Sequence, residues 1–378
     1  MKIAQHRWTT SAGWSPALAG APADTASLAL VFGSTAALED PALFAEIRRA
    51  YPRALLFGCS TAGEIHDTQV LEDAVVVTAV AFEATRVRAA RVSLDEVPHG
   101  AGAGERLART LADPDLVHVL VLSDGLGVNG NDLVRGLTGH LPERVSVTGG
   151  LSGDGTRFRK TLVIAGEAPE PGVVGAVGFY GSRLRVGYGS LGGFDPFGPE
   201  RLVTRSVGKV LYELDGQPAL ELYKRYLGEH ADRLPGSAFL FPLKLHTGAN
   251  GTGVVRTVLG VDEADQSLTF AGDLPEGSYV ELTRANFEHL IDAAVNAATR
   301  SCEPLGAAPD LGLLITCVGR KLVLGQRTEE EVEGVRDVLG RRAALTGFYS
   351  YGELAPFQAG APCQLHNQTM SVTAFREV

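Results

Sequence analysis

Two stretches near opposite ends of the chain share the pattern Gly-x-x-x-x-Gly-Glu-(Ile/Leu). They are GCSTAGEI at residues 58–65 and GFYSYGEL at residues 347–354. Each follows an apolar run of strand length, and open α/β sheets bind their ligands at the carboxyl ends of strands. A glycine-rich turn there leaves backbone N–H groups free for a carboxylate, while a glutamate accepts hydrogen bonds from an ammonium or hydroxyl group. The pattern therefore predicts a pair of ligand-binding loops.

If the two halves of the chain face each other across a cleft, both loops close over a single ligand. We expect one wall to contain Gly58, Ser60, Thr61, Gly63 and Glu64, and the other Tyr349, Tyr351, Gly352 and Glu353, with Arg157 and Asn367 as further candidates. The residues leave a second interpretation open. In it, both loops are tight turns whose glutamates accept hydrogen bonds from nearby backbone amides.

Two catalytic alternatives have weaker support. Cys59 could act as a nucleophile with His66 as its base, although a cysteine at a strand end is more often a small buried apolar residue. The segment 125–130 matches the Gly-x-Gly-x-x-Gly pattern of dinucleotide-binding loops. The next strand, however, ends in Gly149 rather than in the acid that would bind a ribose hydroxyl. We therefore expect no catalytic residues.

Histidines raise the question of a haem cofactor. His66, His118, His289 and His366 could each ligate haem iron through a neutral imidazole, but their spacing singles out none of them. We therefore expect no cofactor and keep haem as an alternative. The four cysteines include no Cys-x-x-Cys pair, so a structural zinc site is not expected either.

Composition excludes several classes of protein. A net charge of −10 argues against a phosphate-binding surface, and hence against nucleic acid as a partner. The amino terminus lacks the apolar core of a signal peptide, and the apolar stretch 74–82 is far too short to span a membrane. The sequence therefore predicts a soluble, cytoplasmic protein without a membrane span.

Around both loops the order of predicted elements is the same: strand, helix, strand, glycine-rich loop and returning strand. The first set comprises strands at 28–32, 54–57 and 74–82 and a helix at 41–51. The last set comprises strands at 311–316, 343–346 and 368–375 and a helix at 328–340. A capping box of Thr328 and Glu331 would begin this second helix. A weaker third set lies between them, with a strand at 117–125, a helix at 131–141 and a strand and loop at 145–155. This alternation predicts an α/β fold of repeated β-α-β-β units with mixed sheets.

At 378 residues the chain is long enough for two domains. Proline and glycine interrupt both the helical and the strand period in FDPFGPE, so we place the boundary between residues 195 and 205. The predicted domains are residues 1–200 and 201–378, with the ligand cleft between them.

Six motifs in this order resemble the FIST family of bacterial sensory proteins. They are GCSTAGEI, VTGGLSGDG with FRKTLVI, VLYELDGQPALELYKRYLG, LPEGSYVEL, GFYSYGELAP and HNQT. The resemblance covers roughly residues 28 to 375 and includes both the N-terminal and the C-terminal FIST domain.

The resemblance implies a sensory module that binds a small molecule such as an amino acid and brings no catalytic residues with it. Since nothing follows residue 378, an output domain is not expected, and the signal would pass to a separate protein such as a histidine kinase. Some stand-alone members imply an alternative, a haem-containing nitric-oxide sensor that regulates a partner histidine kinase.

Overall fold

The computed structural model describes residues 1–18, 24–97, 99–246 and 253–378 and shows a mixed α/β protein with several mixed sheets. The strands are β1 (Lys2–Thr9), β2 (Gly13–Ser15), β3 (Leu28–Gly33), β4 (Leu55–Ser60), β5 (Glu64–His66), β6 (Gln69–Leu71), β7 (Ala74–Ala81), β8 (Arg86–Ser93), β9 (Leu116–Ser123), β10 (Ser146–Leu151), β11 (Val163–Ala165), β12 (Val173–Tyr180), β13 (Leu184–Leu191), β14 (Phe194–Val207), β15 (Val210–Leu214), β16 (Gln217–Pro218), β17 (Leu243–His246), β18 (Gly253–Arg256), β19 (Val258–Asp262), β20 (Ser267–Phe270), β21 (Tyr279–Ala285), β22 (Leu311–Cys317), β23 (Ala344–Ser350), β24 (Gly352–Pro356), β25 (Cys363–His366) and β26 (Met370–Glu377).

The α-helices are α1 (Thr35–Leu38), α2 (Pro41–Ala50), α3 (Gly100–Leu111), α4 (Gly130–Thr138), α5 (Ala219–Leu227), α6 (Phe287–Cys302), α7 (Val318–Leu324) and α8 (Thr328–Leu339). Short 3-10 helices lie at Gly228–Arg233, Gly236–Leu240, Glu303–Leu305 and Gly325–Arg327. Helix α2 begins as the sequence predicts, because Asp40 accepts a hydrogen bond from the Ala42 amide and Pro41 occupies the first helical position.

The capping box predicted at Thr328 and Glu331 is wrong. Helix α8 is preceded by Arg327, whose side chain makes no capping hydrogen bond. The Thr328 hydroxyl donates instead to the Gly325 carbonyl at 2.6 Å. The Glu331 carboxylate is fully buried and pairs with Arg320, because an internal guanidinium binds a carboxylate more strongly than a backbone amide does.

Three of the sheets contain the same core of strands. In each, a parallel pair is followed by a third strand that runs antiparallel to the first of the pair: β3, β4 and β7; β9, β10 and β12; β22, β23 and β26. A helix connects the two strands of each parallel pair, as such a crossover requires. Apolar side chains from all three cores, including Phe32, Phe179 and Phe348, share one buried cluster.

The segment after each parallel pair leaves its own sheet and adds to another. Strands β5 and β6, which follow the first loop, extend the sheet of β23. Strand β11 pairs with β4, and strands β24 and β25 extend the sheet of β10. The segment after the β3–β4 pair thus joins the sheet of β23, the segment after the β22–β23 pair joins the sheet of β10, and the segment after the β9–β10 pair joins the sheet of β4. The exchange links the three sheets in a cycle.

Glycine is required within the second strand of each parallel pair, two or three residues before the strand ends. A Cβ atom on Gly58 would lie 1.7 Å from the Val31 carbonyl oxygen. The corresponding distances are 1.8 Å for Gly149 and 1.9 Å for Gly347, again to a carbonyl oxygen of the neighbouring strand. Any side chain at these positions would push the two strands apart.

The fourth sheet contains strands β14 to β21 and packs against α5 around its own buried cluster. The predicted boundary region 195–205 lies within β14, whose pairing with β21 shifts register between Pro196 and Glu200. A register shift of this kind accommodates the proline and glycine residues that interrupt the sequence period there. The hairpin of β14 and β15, at residues 207–210, reaches the cavity described below.

A fully buried ion pair connects α7 and α8. The Arg320 guanidinium contacts the Glu331 carboxylate at 2.7 Å and also donates to the carbonyls of Leu290 and Gly192. The Tyr349 hydroxyl donates to the same carboxylate at 2.8 Å. Since every partner is supplied internally, the pair holds α6, α7, α8 and β23 in one arrangement.

We predict that Gly347→Ala destabilises the protein by about 1–3 kcal/mol or more, because the added methyl group cannot fit beside the Leu314 carbonyl. Urea denaturation monitored by circular dichroism measures the loss. Gly236→Ala is the matched control, since a Cβ there has no heavy atom within 4 Å. Equal stability of the two variants would contradict the packing argument.

Candidate functional site

Glu64, in the first glycine-rich loop, is a buried internal residue. Its Oε1 accepts a hydrogen bond from the Thr61 hydroxyl, and its Oε2 accepts one from the Ala74 amide at 3.2 Å. Burial raises the pKa of this carboxyl to about 8. The side chain therefore ties its loop to the first residue of the returning strand β7.

Glu353, in the second loop, repeats this arrangement. Its Oε1 accepts from the Ser350 hydroxyl at 2.6 Å, and its Oε2 accepts from the amide and the hydroxyl of Thr369 at 3.1 and 2.9 Å. Burial raises the pKa of this carboxyl to about 8 as well. These contacts agree with the interpretation in which both glutamates bind nearby amides, and ligand binding by either stays a prediction.

The two loops lie side by side and are joined by a strand pairing. The Ala62 amide donates to the Tyr349 carbonyl, and the Tyr349 amide donates to the Gly63 carbonyl, both at 2.8 Å. Ser60 is also internal, because its hydroxyl donates to the Gly153 carbonyl and accepts from the Leu162 amide. Gly58, Thr61, Gly352 and Tyr349 are likewise buried.

A cavity of about 550 Å³ lies between the two halves of the chain. The N-terminal half contributes residues 125–130, Leu151 and Phe158; the C-terminal half contributes residues 207–210, 257, 259, 270–273, 317 and 318, with Phe239. Of the candidates named from the sequence, Tyr351 and Asn367 line this cavity. Arg157 precedes Phe158 but binds the Asp154 carboxylate at 2.6 Å.

Apolar side chains form much of the cavity wall, and several of them are exposed. Val207 is 70% exposed, and Leu126, Phe158 and Leu259 are each about two-fifths exposed. The Phe158 ring stacks on the Tyr351 ring with centroids 4.4 Å apart. Exposed apolar residues grouped in this way mark a surface that binds another molecule.

Phe158 has a φ of +52°, a left-handed conformation that is unusual for a bulky residue. The neighbouring backbone holds it there, because the Asp154 carboxylate accepts from the amides of Arg159 and Lys160. The Tyr351 hydroxyl anchors the same turn by accepting from the Asp154 amide and donating to the Gly155 carbonyl. Strain of this kind concentrates at binding sites.

Lys209 and Asp273 place opposite charges at the cavity. Lys209 lies in the exposed hairpin of β14 and β15, and its ammonium has no partner in the part of the chain that the structure describes. The half-buried Asp273 carboxylate accepts from the Asn129 side-chain amide at 3.0 and 3.3 Å. The cavity lining therefore carries one cationic and one anionic side chain.

Two buried oxygen atoms of cavity-lining residues have no hydrogen-bond partner within the described residues: Asn367 Oδ1 and Thr257 Oγ1. Asn367 is 1% exposed and Thr257 is 2% exposed. The Asn367 amide nitrogen donates to the His366 carbonyl at 3.0 Å, which leaves its oxygen as an unused acceptor. An unpartnered buried polar atom costs about 1–3 kcal/mol, so these two oxygens offer hydrogen-bonding positions to whatever occupies the cavity.

Sequence reasoning missed Lys209, Asp273 and Thr257, because none belongs to a repeated motif. The loop 125–130 lines the cavity, but its sequence pattern is only a weak match to a nucleotide-binding motif. Its glycines could have pointed to a loop that closely approaches a ligand. The three missed residues carry no comparable local pattern.

The residues that line the cavity do not fit a histidine-ligated haem, since no described residue of its lining is a histidine. His118 is buried, and its ring nitrogens contact the hydroxyls of Ser146 and Thr148. The His366 Nε2 contacts the Ala355 carbonyl, and burial lowers the pKa of this imidazole to about 4. His289 contacts the Asp195 carboxylate on an exposed helix face.

Cys59 lacks the surroundings of a catalytic thiol. It is fully buried in β4, and burial together with the nearby Glu64 raises the pKa of the thiol well above its ordinary value. Catalytic cysteines have lowered pKa values and lie where a substrate can reach them.

Two family models match nearly the whole chain. The FIST N domain matches residues 27–217, and the FIST C domain matches residues 219–356. The chain belongs to the FIST family. FIST domains are sensory domains of signal transduction, so the general role of this FIST protein is that of a sensor.

The FIST chain is similar to an uncharacterised protein from two strains of Mycobacterium tuberculosis, with 30% identity over 93% of this chain and 91% of that protein. An uncharacterised protein of Methanocaldococcus jannaschii is 28% identical over 40% of this chain and 32% of its own length. A solved structure of cyanuric acid hydrolase from A. caulinodans covers 99% of both chains with 12% identity and a TM-score of 0.39. Within the described part of the FIST chain, no helix is both long enough and apolar enough to cross a membrane.

We predict that Glu353→Gln reduces the loss of stability that the FIST chain suffers as pH rises. The native pKa of about 8 exceeds the ordinary value of 4.5, so the native state binds this proton more tightly than the unfolded state does. The resulting stabilisation is complete below 4.5 and is lost as pH rises through about 8. Glutamine resembles the protonated acid and does not titrate.

Urea denaturation at pH 5 and pH 9 measures this effect. Wild type is expected to lose more stability between the two pH values than Glu353→Gln does. Glu64→Gln should likewise lose less stability than wild type, because the pKa of Glu64 is also about 8. Glu333→Gln, on the exposed face of α8, is the matched control and should behave as wild type. The same loss in wild type and in both buried variants would contradict the prediction.

Proposed function

We propose that this FIST chain is a non-enzymatic, cytoplasmic sensor that binds a small molecule such as an amino acid between its two halves. It passes the signal to a separate protein, such as a histidine kinase. The observation that carries the proposal is the cavity, whose lining comes from both halves and combines apolar walls with Lys209 and Asp273. Its volume of about 550 Å³ lies in the range of small-molecule sites.

The charges and walls suit an amino acid in particular. Lys209 is available for the carboxylate, and Asp273 retains lone pairs for the ammonium group beside its bond to Asn129. The side chain then lies among Phe158, Tyr351 and the other apolar residues of the wall. Such a ligand contacts both halves at once, so it stabilises the arrangement in which they meet.

We assign the transmission of the signal to the strained turn at Phe158. This residue lines the cavity, while its turn is held by Tyr351 of the C-terminal half. A ligand that binds one conformation of the turn more tightly shifts the population toward that conformation. The proposal requires no catalytic group, in agreement with the buried, protonated thiol of Cys59.

The test is a thermal melt of the protein against the twenty amino acids, small carboxylates and haemin. An amino acid present at a hundred times its dissociation constant should stabilise the protein by about 2.7 kcal/mol. Absence of a shift with any amino acid or carboxylate would contradict the proposal. A shift with haemin alone, together with a Soret band, would favour the haem alternative.

We predict that Asp273→Asn weakens binding of the best amino acid about tenfold or more, because asparagine keeps an acceptor but loses the negative charge that strengthens its hydrogen bond to the ligand's ammonium group. Lys209→Ala should weaken it by a smaller factor, about two- to fivefold, since the exposed lysine is screened by water. Isothermal titration calorimetry gives both values. Lys2→Ala, an exposed lysine outside the cavity, is the control that should leave the affinity unchanged.

A further inference from the structure

The polar groups of the cavity fall into two sets that differ in burial. Lys209 is exposed and Asp273 is half-buried, so the charges lie toward solvent. Asn367 and Thr257 are buried and neutral, and one oxygen of each is unpartnered. A ligand that satisfies both sets is charged at its outer end and carries a neutral hydrogen-bonding group at its inner end.

Asn367 specifies which neutral group is needed. Its amide nitrogen already donates to the His366 carbonyl, so the orientation of the side chain is set and its Oδ1 can only accept. The Thr257 hydroxyl can donate or accept. The inner end of the ligand must therefore donate an O–H or N–H, and a group that only accepts, such as a carboxylate, leaves Asn367 unsatisfied.

The aromatic residues of the cavity wall suit a flat ring. Phe158 and Tyr351 stack with an angle of 16° between their planes, and Phe239 and Phe270 also line the cavity. Aromatic rings pack favourably in offset-stacked and edge-to-face arrangements with one another. An aromatic ligand would contact these side chains along its length.

We propose that the cavity prefers an aromatic amino acid with a hydrogen-bond donor on its ring, namely tyrosine or tryptophan, over phenylalanine. The inference rests on the proposed function, because it assigns the two charges to the amino-acid backbone and the two buried oxygens to the side chain. The phenol O–H or indole N–H reaches Asn367, while the ring lies among the aromatic residues. Phenylalanine fills the same space without a donor.

Calorimetric titration with L-tyrosine, L-tryptophan and L-phenylalanine provides the test. Tyrosine and phenylalanine differ by one hydroxyl group, and a site built to bond a hydroxyl strongly disfavours the analogue without it. We expect tyrosine or tryptophan to bind at least tenfold more tightly than phenylalanine. Asn367→Leu should remove this preference by weakening the donor ligands, while phenylalanine binds as in wild type or more tightly.

Phenylalanine binding also reports whether the Asn367→Leu variant retains an intact cavity. In a second variant, Thr257→Val, the preference for tyrosine or tryptophan over phenylalanine should decrease. Equal binding of phenylalanine and tyrosine to wild type would overturn this inference and leave the proposed function in place. Binding of aliphatic amino acids alone would do the same. If no amino acid binds, the proposed function fails together with the inference.

Discussion

The close approach of three parallel strand pairs is the constraint on which the rest of the structure depends. At Gly58, Gly149 and Gly347 the neighbouring carbonyl oxygen occupies the space that a Cβ would need. Glycine there lets each parallel pair close up just before the chain leaves its sheet in the loop that follows and crosses to another. The exchanged strands, the buried glutamates and the position of Tyr351 at the cavity all follow from that crossing.

The buried ion pair and the two buried glutamates that hold the fold together have internal partners. Arg320 and Glu331 provide each other's partners, and Glu64 and Glu353 each bind a hydroxyl and a backbone amide. Among the unpartnered buried atoms of the described residues, Asn367 Oδ1 and Thr257 Oγ1 are the two that line the cavity. A ligand in the cavity can supply the partners of these two atoms.

Much of the fold was predictable because it depends on local patterns. The helical spacing of apolar residues in 41–51 and the strand-length runs such as 311–316 correspond to α2 and β22. The Thr328 capping box was wrong because Arg320, close to Glu331 only in the folded chain, takes the carboxylate. The candidate site was less predictable: Tyr351 and Asn367 line the cavity, whereas Lys209, Asp273 and Thr257 have no motif to mark them.

The sequence by itself determined the order of the elements, the two glycine-rich loops and the family, because each is encoded by residue types at short, regular spacing. Only the tertiary structure decided which polar side chains are used internally and which remain for a ligand. Glu64 and Asn367 both belong to conspicuous motifs, yet the first has all its partners and the second lacks one. That difference depends on groups far apart in the chain, whose distances exist only after the strands have crossed between sheets.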